Sequence, residues 1–242
     1  MCKMKDIMVF ITSMTSKYTT DLRLIAILTM LIDHIGFIFF PNQPIFRIIG
    51  RFSFPLFAWG IAQGAKYTHN AAKYAWRLFV FALIAQYPYY LFGTIAPSPI
   101  AKLNVIFTLL LGLLAILSYR SHLSKLLKIA CIYLCCFFSL TLNSDYQIIG
   151  VLSVLLSYIF MTNFPALFIS QLFLFSLPIT FSLITQSLNN LITFNIYLPL
   201  FAPLAFFLTR LPQSRLSKFK YLFYLVYPLQ FLIIYLIKTH LK

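Results

Sequence analysis

Hydrophobic and polar positions along this chain fall into long apolar runs divided by short polar breaks, a pattern that predicts membrane-spanning helices. Reading from break to break gives nine runs: Leu22–Phe40, Ile45–Ala65, Tyr74–Phe92, Leu103–Tyr119, Lys125–Leu142, Ile148–Met161, Phe164–Thr185, Leu191–Thr209 and Phe219–Ile237. About 20 mostly apolar residues carry an α-helix across the hydrocarbon of a bilayer, and most of the runs approach that length. Ile148–Met161 is shorter, the length of a half-helix or of a tilted partner to its neighbour. Pro41, Pro44, Pro97, Pro99 and Pro212 lie in the breaks, where a fixed φ and a missing N–H suit a turn. Pro88, Pro165, Pro178, Pro199 and Pro203 fall inside runs and predict kinks. Neither an internal repeat nor a soluble linker is visible. The predicted fold is all-α, a polytopic transmembrane helical bundle of about nine spans. A cytoplasmic arm over residues 1–20 precedes a single transmembrane domain over residues 21–242.

Composition excludes a soluble globular domain. Of 242 residues, 61% are hydrophobic and 10% charged, and the mean hydropathy is +0.89. Soluble domains carry roughly a quarter charged residues, so these side chains cannot cover the apolar surface and lipid must be the solvent. Acidic residues number four (Asp6, Asp21, Asp33 and Asp145), which leaves a formal charge of +15. Such an excess can mark a nucleic-acid binder, but no basic run here is long or interleaved with aromatics. It reads instead as the Lys and Arg enrichment of cytoplasmic loops. Lys3, Lys5, Lys17 and Arg23 fall at the N-terminal end. Alternate loops hold Lys66, Lys73 and Arg77, then Arg120, Lys125 and Lys128, then Arg210, Arg215, Lys218 and Lys220. This alternation predicts a cytoplasmic N-terminus and an external C-terminus. The short apolar patch Ile7–Ile11 has no small-residue cleavage site after it, so the first span is expected to be retained. Cys2, Cys131, Cys135 and Cys136 form no disulfide or metal-binding pattern, and no metal is expected.

Candidate chemistry begins with Asp33 and His34, deep in an otherwise apolar run. An ionisable pair in hydrocarbon is costly unless it faces a polar cavity or a partner, so intramembrane ionisable residues are functional candidates. A purely structural role is the alternative, with Asp33 pairing to a base such as Arg51. Arg23 and His34 are eleven residues apart, close to three helical turns, so they share a face at about 16 Å axial separation. A cation at the cytoplasmic mouth and a base near the far end suit a long anionic donor threaded into the membrane, the shape of coenzyme A. Arg47 and Arg51, one turn apart, fall near the level of Asp33 and His34. They can hold Asp33 or stabilise charge at a reaction centre, or Arg47 can snorkel to the headgroups. His69, His122 and His240 read as solvated.

Several segments together resemble the TraX family, membrane proteins named for a conjugal-transfer pilin acetylase. They are Arg23-x10-His34, Asp33-His34-Ile35-Gly36, the stretch Gly50-Arg-Phe-Ser-Phe-Pro-Leu-Phe-Ala58, the stretch Leu103-Asn-Val-Ile-Phe-Thr-Leu-Leu-Leu-Gly112, and Lys220-Tyr-Leu-Phe-Tyr-x-x-Tyr-Pro-Leu229. The resemblance covers roughly Thr20 to Ile237. The Arg-x10-His spacing also resembles the membrane acyltransferase 3 proteins, which use acyl-CoA on one side of a membrane to modify acceptors on the other.

The resemblance implies His34 as catalytic base, Asp33 as its orienting partner, and Arg23, Arg47 and Arg51 as donor-binding or structural cations. Asn104 and Thr108 match polar family positions that can line the cavity. Asp145 and Tyr146 match an acidic position that could bind an amine acceptor. Gln230 stands where the family pattern suggests His, and it cannot titrate. The implied function is an enzyme of the bacterial inner membrane, moving an acetyl group from cytoplasmic acetyl-CoA to an acceptor at the outer face. The acceptor would be a pilin N-terminus, another envelope protein or a glycan; the partners are this donor, this acceptor and membrane lipid, with no nucleic acid. Two other classes stay open. A proton-coupled transporter could use Asp33 and His34 as a relay, although no inverted repeat supports it. A non-catalytic subunit of a pilus or secretion machine would need no chemistry at all.

Overall fold

A computed structural model describes residues 22–97, 102–186, 194–211 and 222–240. The arm over residues 1–20 and the basic stretch Arg215 to Lys220 lie outside the described residues. Within them every regular element is helical. The α-helices are α1 Leu22–Phe39, α2 Pro44–Gly50, α3 Ser53–Tyr67, α4 Ala71–Thr94, α5 Val105–Arg120, α6 Lys125–Thr141, α7 Gln147–Ile159, α8 Phe164–Gln186 and α9 Leu222–His240; a 3₁₀ helix over Phe194–Arg210 precedes α9. Two segments, Leu22–Phe39 and Pro44–Tyr67, are long and apolar enough to cross a membrane, and four shorter apolar helices accompany them.

The second apolar run folds as two helices. Pro55 has no N–H to offer the Arg51 carbonyl four residues back, and its ring would clash with it. The chain therefore breaks at Arg51–Phe52, where Phe52 N–H reaches only to the Ile49 carbonyl at 3.2 Å. Pro55 then falls in the first turn of α3, where its missing donor costs nothing. Elsewhere, side chains cap the helix starts. Asn70 accepts from Lys73 N–H on α4, Asn104 from Ile106 N–H on α5, and Ser124 from Leu127 N–H on α6, each satisfying an orphan backbone donor.

The core forms around α3 and α5. Helix α3 packs on α1, α5, α7 and the 3₁₀ helix, while α9 closes the bundle between α1 and α4. Phe54, Ala58, Ala62 and Ala65 of α3 and Leu109, Leu113 and Ile116 of α5 are almost wholly buried. Small residues set the spacing. A methyl on Gly112 would strike Val154, and one on Gly36 would strike Phe46. Helix α6 is peripheral, with Cys135 and Ser139 buried and Ile129, Tyr133, Phe137 and Phe138 exposed. Large apolar side chains exposed on α4, α6, α8 and α9 would be an aggregation liability in water and are ordinary in lipid. Membrane association accounts for them.

Candidate functional site

The break between α2 and α3 opens one wall of a cavity of about 660 Å³. Helix α1 contributes Asp33, His34 and Phe37, the α2–α3 junction Arg47 and Arg51, and α4 Tyr89 and Phe92. The loop into α7 adds Asp145 and Tyr146, and α8 and the 3₁₀ helix add Pro178 and Pro199.

Asp33 accepts a hydrogen bond from Arg47 Nη1 at 2.7 Å in a partly buried ion pair. The carboxylate lies directly on Gly50, where a Cβ would occupy its place, so glycine lets α2 approach α1 closely enough for the pair to form. The Arg47 guanidinium also covers the Phe37 ring at 4.8 Å. Asp33 is bonded to Arg47, and its charge also reaches His34, its neighbour on α1. Neighbours in sequence project about 100° apart around a helix, and the carboxylate faces the next helix.

What faces His34 is aromatic and amide. Its ring contacts Phe231 at 4.8 Å and Phe92 at 5.3 Å between centroids, and the Gln230 amide of α9 lies against it. The approach falls short of a well-formed hydrogen bond, so His34 Nδ1 and both amide atoms of Gln230 are buried without a partner. Each supplies what the other lacks, since a neutral imidazole carries one donor and one acceptor and an amide carries both. Gln230 stands behind the ring, outside the cavity lining, while His34 lines the cavity.

Arg51 diverges from Arg47. The helix break turns it to Tyr146 and Asp145, with Asp33 also within its electrostatic reach. Asp145 is held by a tight loop. Its N–H donates to the Leu103 carbonyl at 2.9 Å, its own carbonyl accepts from the Thr108 hydroxyl, and its Oδ1 accepts from Tyr146 N–H at 3.2 Å. Asn143, Tyr146 and Gln147 adopt φ of 47°, 62° and 42°, strained for residues with side chains. Tyr146 is fixed there by stacking on Phe54 at 4.0 Å. Burial pushes the Asp145 carboxyl above the ordinary carboxylate range, against the pull of Lys102, Arg51 and His34.

Asn104 and Thr108 line neither cavity described here. Asn104 is fully buried and donates to the Ala82 carbonyl at 2.8 Å and to Gln86 at 2.9 Å. It ties α5 to α4, while Thr108 holds the Asp145 loop. Both act on the site through its scaffold.

Arg23 lies elsewhere. It lines a second cavity of about 220 Å³ with Gly60, Gly64, Tyr74 and Arg77. The two cavities have no lining residue in common. They open at opposite ends of α1 and α4, since the first takes Tyr89 and Phe92 and the second Tyr74 and Arg77. Ile27 and Met30, on the face of α1 that carries Arg23 and His34, are buried between them. Sequence reasoning missed Arg77, and it placed Gln230 by analogy alone.

A model of the family described as TraX protein matches residues 19–238. The chain belongs to the TraX family. Among curated relatives, it is 34% identical over 125 residues to a probable fimbrial assembly protein FimC, serogroup H1, of Dichelobacter nodosus, covering 47% of this chain and 51% of that one. It is 30% identical over 139 residues to Protein TraX of Escherichia coli, covering 57% and 54%. The chain spans about half the length of these curated relatives. No solved structure matches it. The family match includes all the residues that line both cavities, from Arg23 to Tyr224, and Gln230 beside them.

Proposed function

We propose that this TraX-family chain is a polytopic acyltransferase of the bacterial inner membrane that moves an acetyl group from cytoplasmic acetyl-CoA to an acceptor at the outer face. The observation that carries the reading is His34. It is an imidazole on the wall of a 660 Å³ cavity, with an unpartnered Nδ1, beside an Asp33–Arg47 pair. A cavity of that size holds a substrate-sized group. In the proposed reaction the acceptor amine or hydroxyl attacks the thioester carbonyl while His34 takes its proton. The carbon–sulfur bond then breaks and the proton passes to the departing thiolate. Arg51 and Arg47 supply positive charge where the carbonyl oxygen becomes negative, and Asp145, raised toward neutrality, can accept a hydrogen bond from, or pair with, an incoming amine.

Arg23 stands about 16 Å along α1 from His34, at the end of the helix expected on the cytoplasmic side. In this reading it meets the donor's phosphates, and the nine helical runs span the bilayer with the N-terminus inside. The Dichelobacter relative, a probable fimbrial assembly protein, favours a surface-filament subunit as acceptor; it equally suits a second reading, a non-catalytic assembly factor. His34→Ala separates the two. General-base catalysis is worth about 10² to 10⁴ in rate, so the purified variant should lose acetyl transfer and free coenzyme A release by that order while remaining membrane-inserted. Full turnover in His34→Ala overturns the assignment, and filament assembly that needs no acetyl-CoA and no His34 supports the assembly reading.

A further inference from the structure

The second cavity has a chemistry of its own. Arg23 enters it from the start of α1 and Arg77 from the first turns of α4, and both lie within electrostatic reach of Tyr74 between them. Arg77 stands over the Tyr74 ring at 5.7 Å, and its Nε is buried without a hydrogen-bond partner. No carboxylate lines the cavity among the described residues; the acids they include, Asp33 and Asp145, line the other cavity. Two guanidinium groups lining one concave site make it attractive to an anion. Planar guanidinium forks match phosphate oxygens two at a time, and the Tyr74 hydroxyl that also lines the site can donate to the same oxygens.

Glycine makes the room. A Cβ on Gly60 would meet nothing within 4 Å, so this glycine leaves open space where any other residue would project a side chain. At 220 Å³ the cavity is smaller than the roughly 300–1,000 Å³ of sites that enclose a whole ligand. It takes one group of a larger molecule.

We propose that Arg77, with Arg23 and Tyr74, forms a phosphate-binding pocket beside Gly60 at the end of the bundle opposite His34. The phosphate chemistry stands by itself. Its assignment to the donor rests on the acyltransferase reading, and an anionic lipid headgroup offers the same group.

The test uses the full chain in nanodiscs, of phosphatidylcholine alone or with phosphatidylglycerol, titrated with coenzyme A and with 3′-dephospho-coenzyme A. Hydrogen bonds to charged groups are worth roughly 10- to 100-fold in affinity. Arg77→Gln should weaken coenzyme A by that order and abolish any preference for the 3′-phosphate. Gly60→Leu, which fills open space on a helix that tolerates leucine better than glycine, should weaken it similarly with folding intact. If the wild type ignores coenzyme A but retains phosphatidylglycerol by native mass spectrometry, and both variants release that lipid, the pocket stands and the acetyl-CoA reading falls. Coenzyme A affinity and lipid retention both unchanged in Arg77→Gln and Gly60→Leu overturn the proposal.

Discussion

At the scale of single residues, the site is organised by who partners whom. Arg47 and Arg51 are one helical turn apart, and their spacing alone suggests one shared acid. The Pro55 break sends Arg47 to Asp33 and Arg51 to the Asp145–Tyr146 loop. With Asp33 occupied, the group available to fix the His34 ring is Gln230, 4% exposed and otherwise unpartnered. A base is efficient when one nitrogen is held and the other faces the substrate. If Gln230 accepts from Nδ1–H, the Nε2 lone pair is left to take the acceptor's proton. Gln230→Leu should therefore reduce kcat by about tenfold, less than the roughly 10² to 10⁴ the base itself supplies, with KM for donor little changed. Gln230→Glu, which keeps an acceptor oxygen and adds a charge able to stabilise the imidazolium, should recover turnover and move the acidic limb of the pH–rate profile, where the base takes up its proton. A Gln230→Leu enzyme with unaltered kcat and pH profile would leave His34 without this support.

At the scale of elements, close approach between helices depends on glycines that differ in what surrounds them. A methyl at Gly50 would land on the Asp33 carboxylate, whereas one at Gly60 meets open space. Gly50→Ala must push α2 from α1 and stretch the Arg47–Asp33 pair. Separating a partly buried pair is expected to cost up to about 3–5 kcal/mol, read as a lower thermal midpoint in detergent with loss of activity. Gly60→Ala should match or exceed the wild-type midpoint, because alanine is the better helix former by about 1 kcal/mol; equal midpoints for the two variants would contradict this packing. Much at this scale was legible. Within the described residues each apolar run overlaps helical structure, the second as two helices and the eighth as a 3₁₀ helix, since in lipid a helix satisfies its backbone groups within one segment. The short run Ile148–Met161 became the 13-residue α7, about 20 Å long. The break at Arg51 was less visible, because the apolar pattern continues through it and one proline carries the signal. The loop that sets Asp145 was illegible. Its left-handed Asn143, Tyr146 and Gln147 contain no glycine to announce the turn, and tertiary contacts with Leu103, Thr108 and Phe54 hold them there. Asn104 and Thr108 were recognisable as polar positions, but polarity alone does not distinguish a cavity wall from a buried cap.

At the scale of the whole molecule, the proposed acyltransferase reading requires a donor held at one end of the bundle to reach a base at the other. Arg23, Ile27, Met30 and His34 follow one another on a single face of α1. The outer two line separate cavities, and the inner two are buried at 5% and 4% exposure. In the proposed acyltransferase reading, an extended thioester arm that follows this face passes where Ile27 and Met30 pack and displaces those side chains. Methionine suits this place, being unbranched and able to fill an irregular gap or leave it. Transfer across the bundle then depends on how readily Met30 yields. Met30→Trp inserts a rigid ring at that point, and overpacking of this kind costs about 1–3 kcal/mol, which a folded bundle of this size should survive. Phosphate recognition at Arg23 and Arg77 lies more than a turn away and should persist. The expected result is coenzyme A binding within about threefold of wild type, a difference under 1 kcal/mol, together with acetyl transfer reduced by at least about tenfold. Coenzyme A bound with wild-type affinity and acetyl transferred at the wild-type rate would mean that the arm takes another route, between α4 and α9 or around the bundle, and that the shared face of Arg23 and His34 has no part in guiding it.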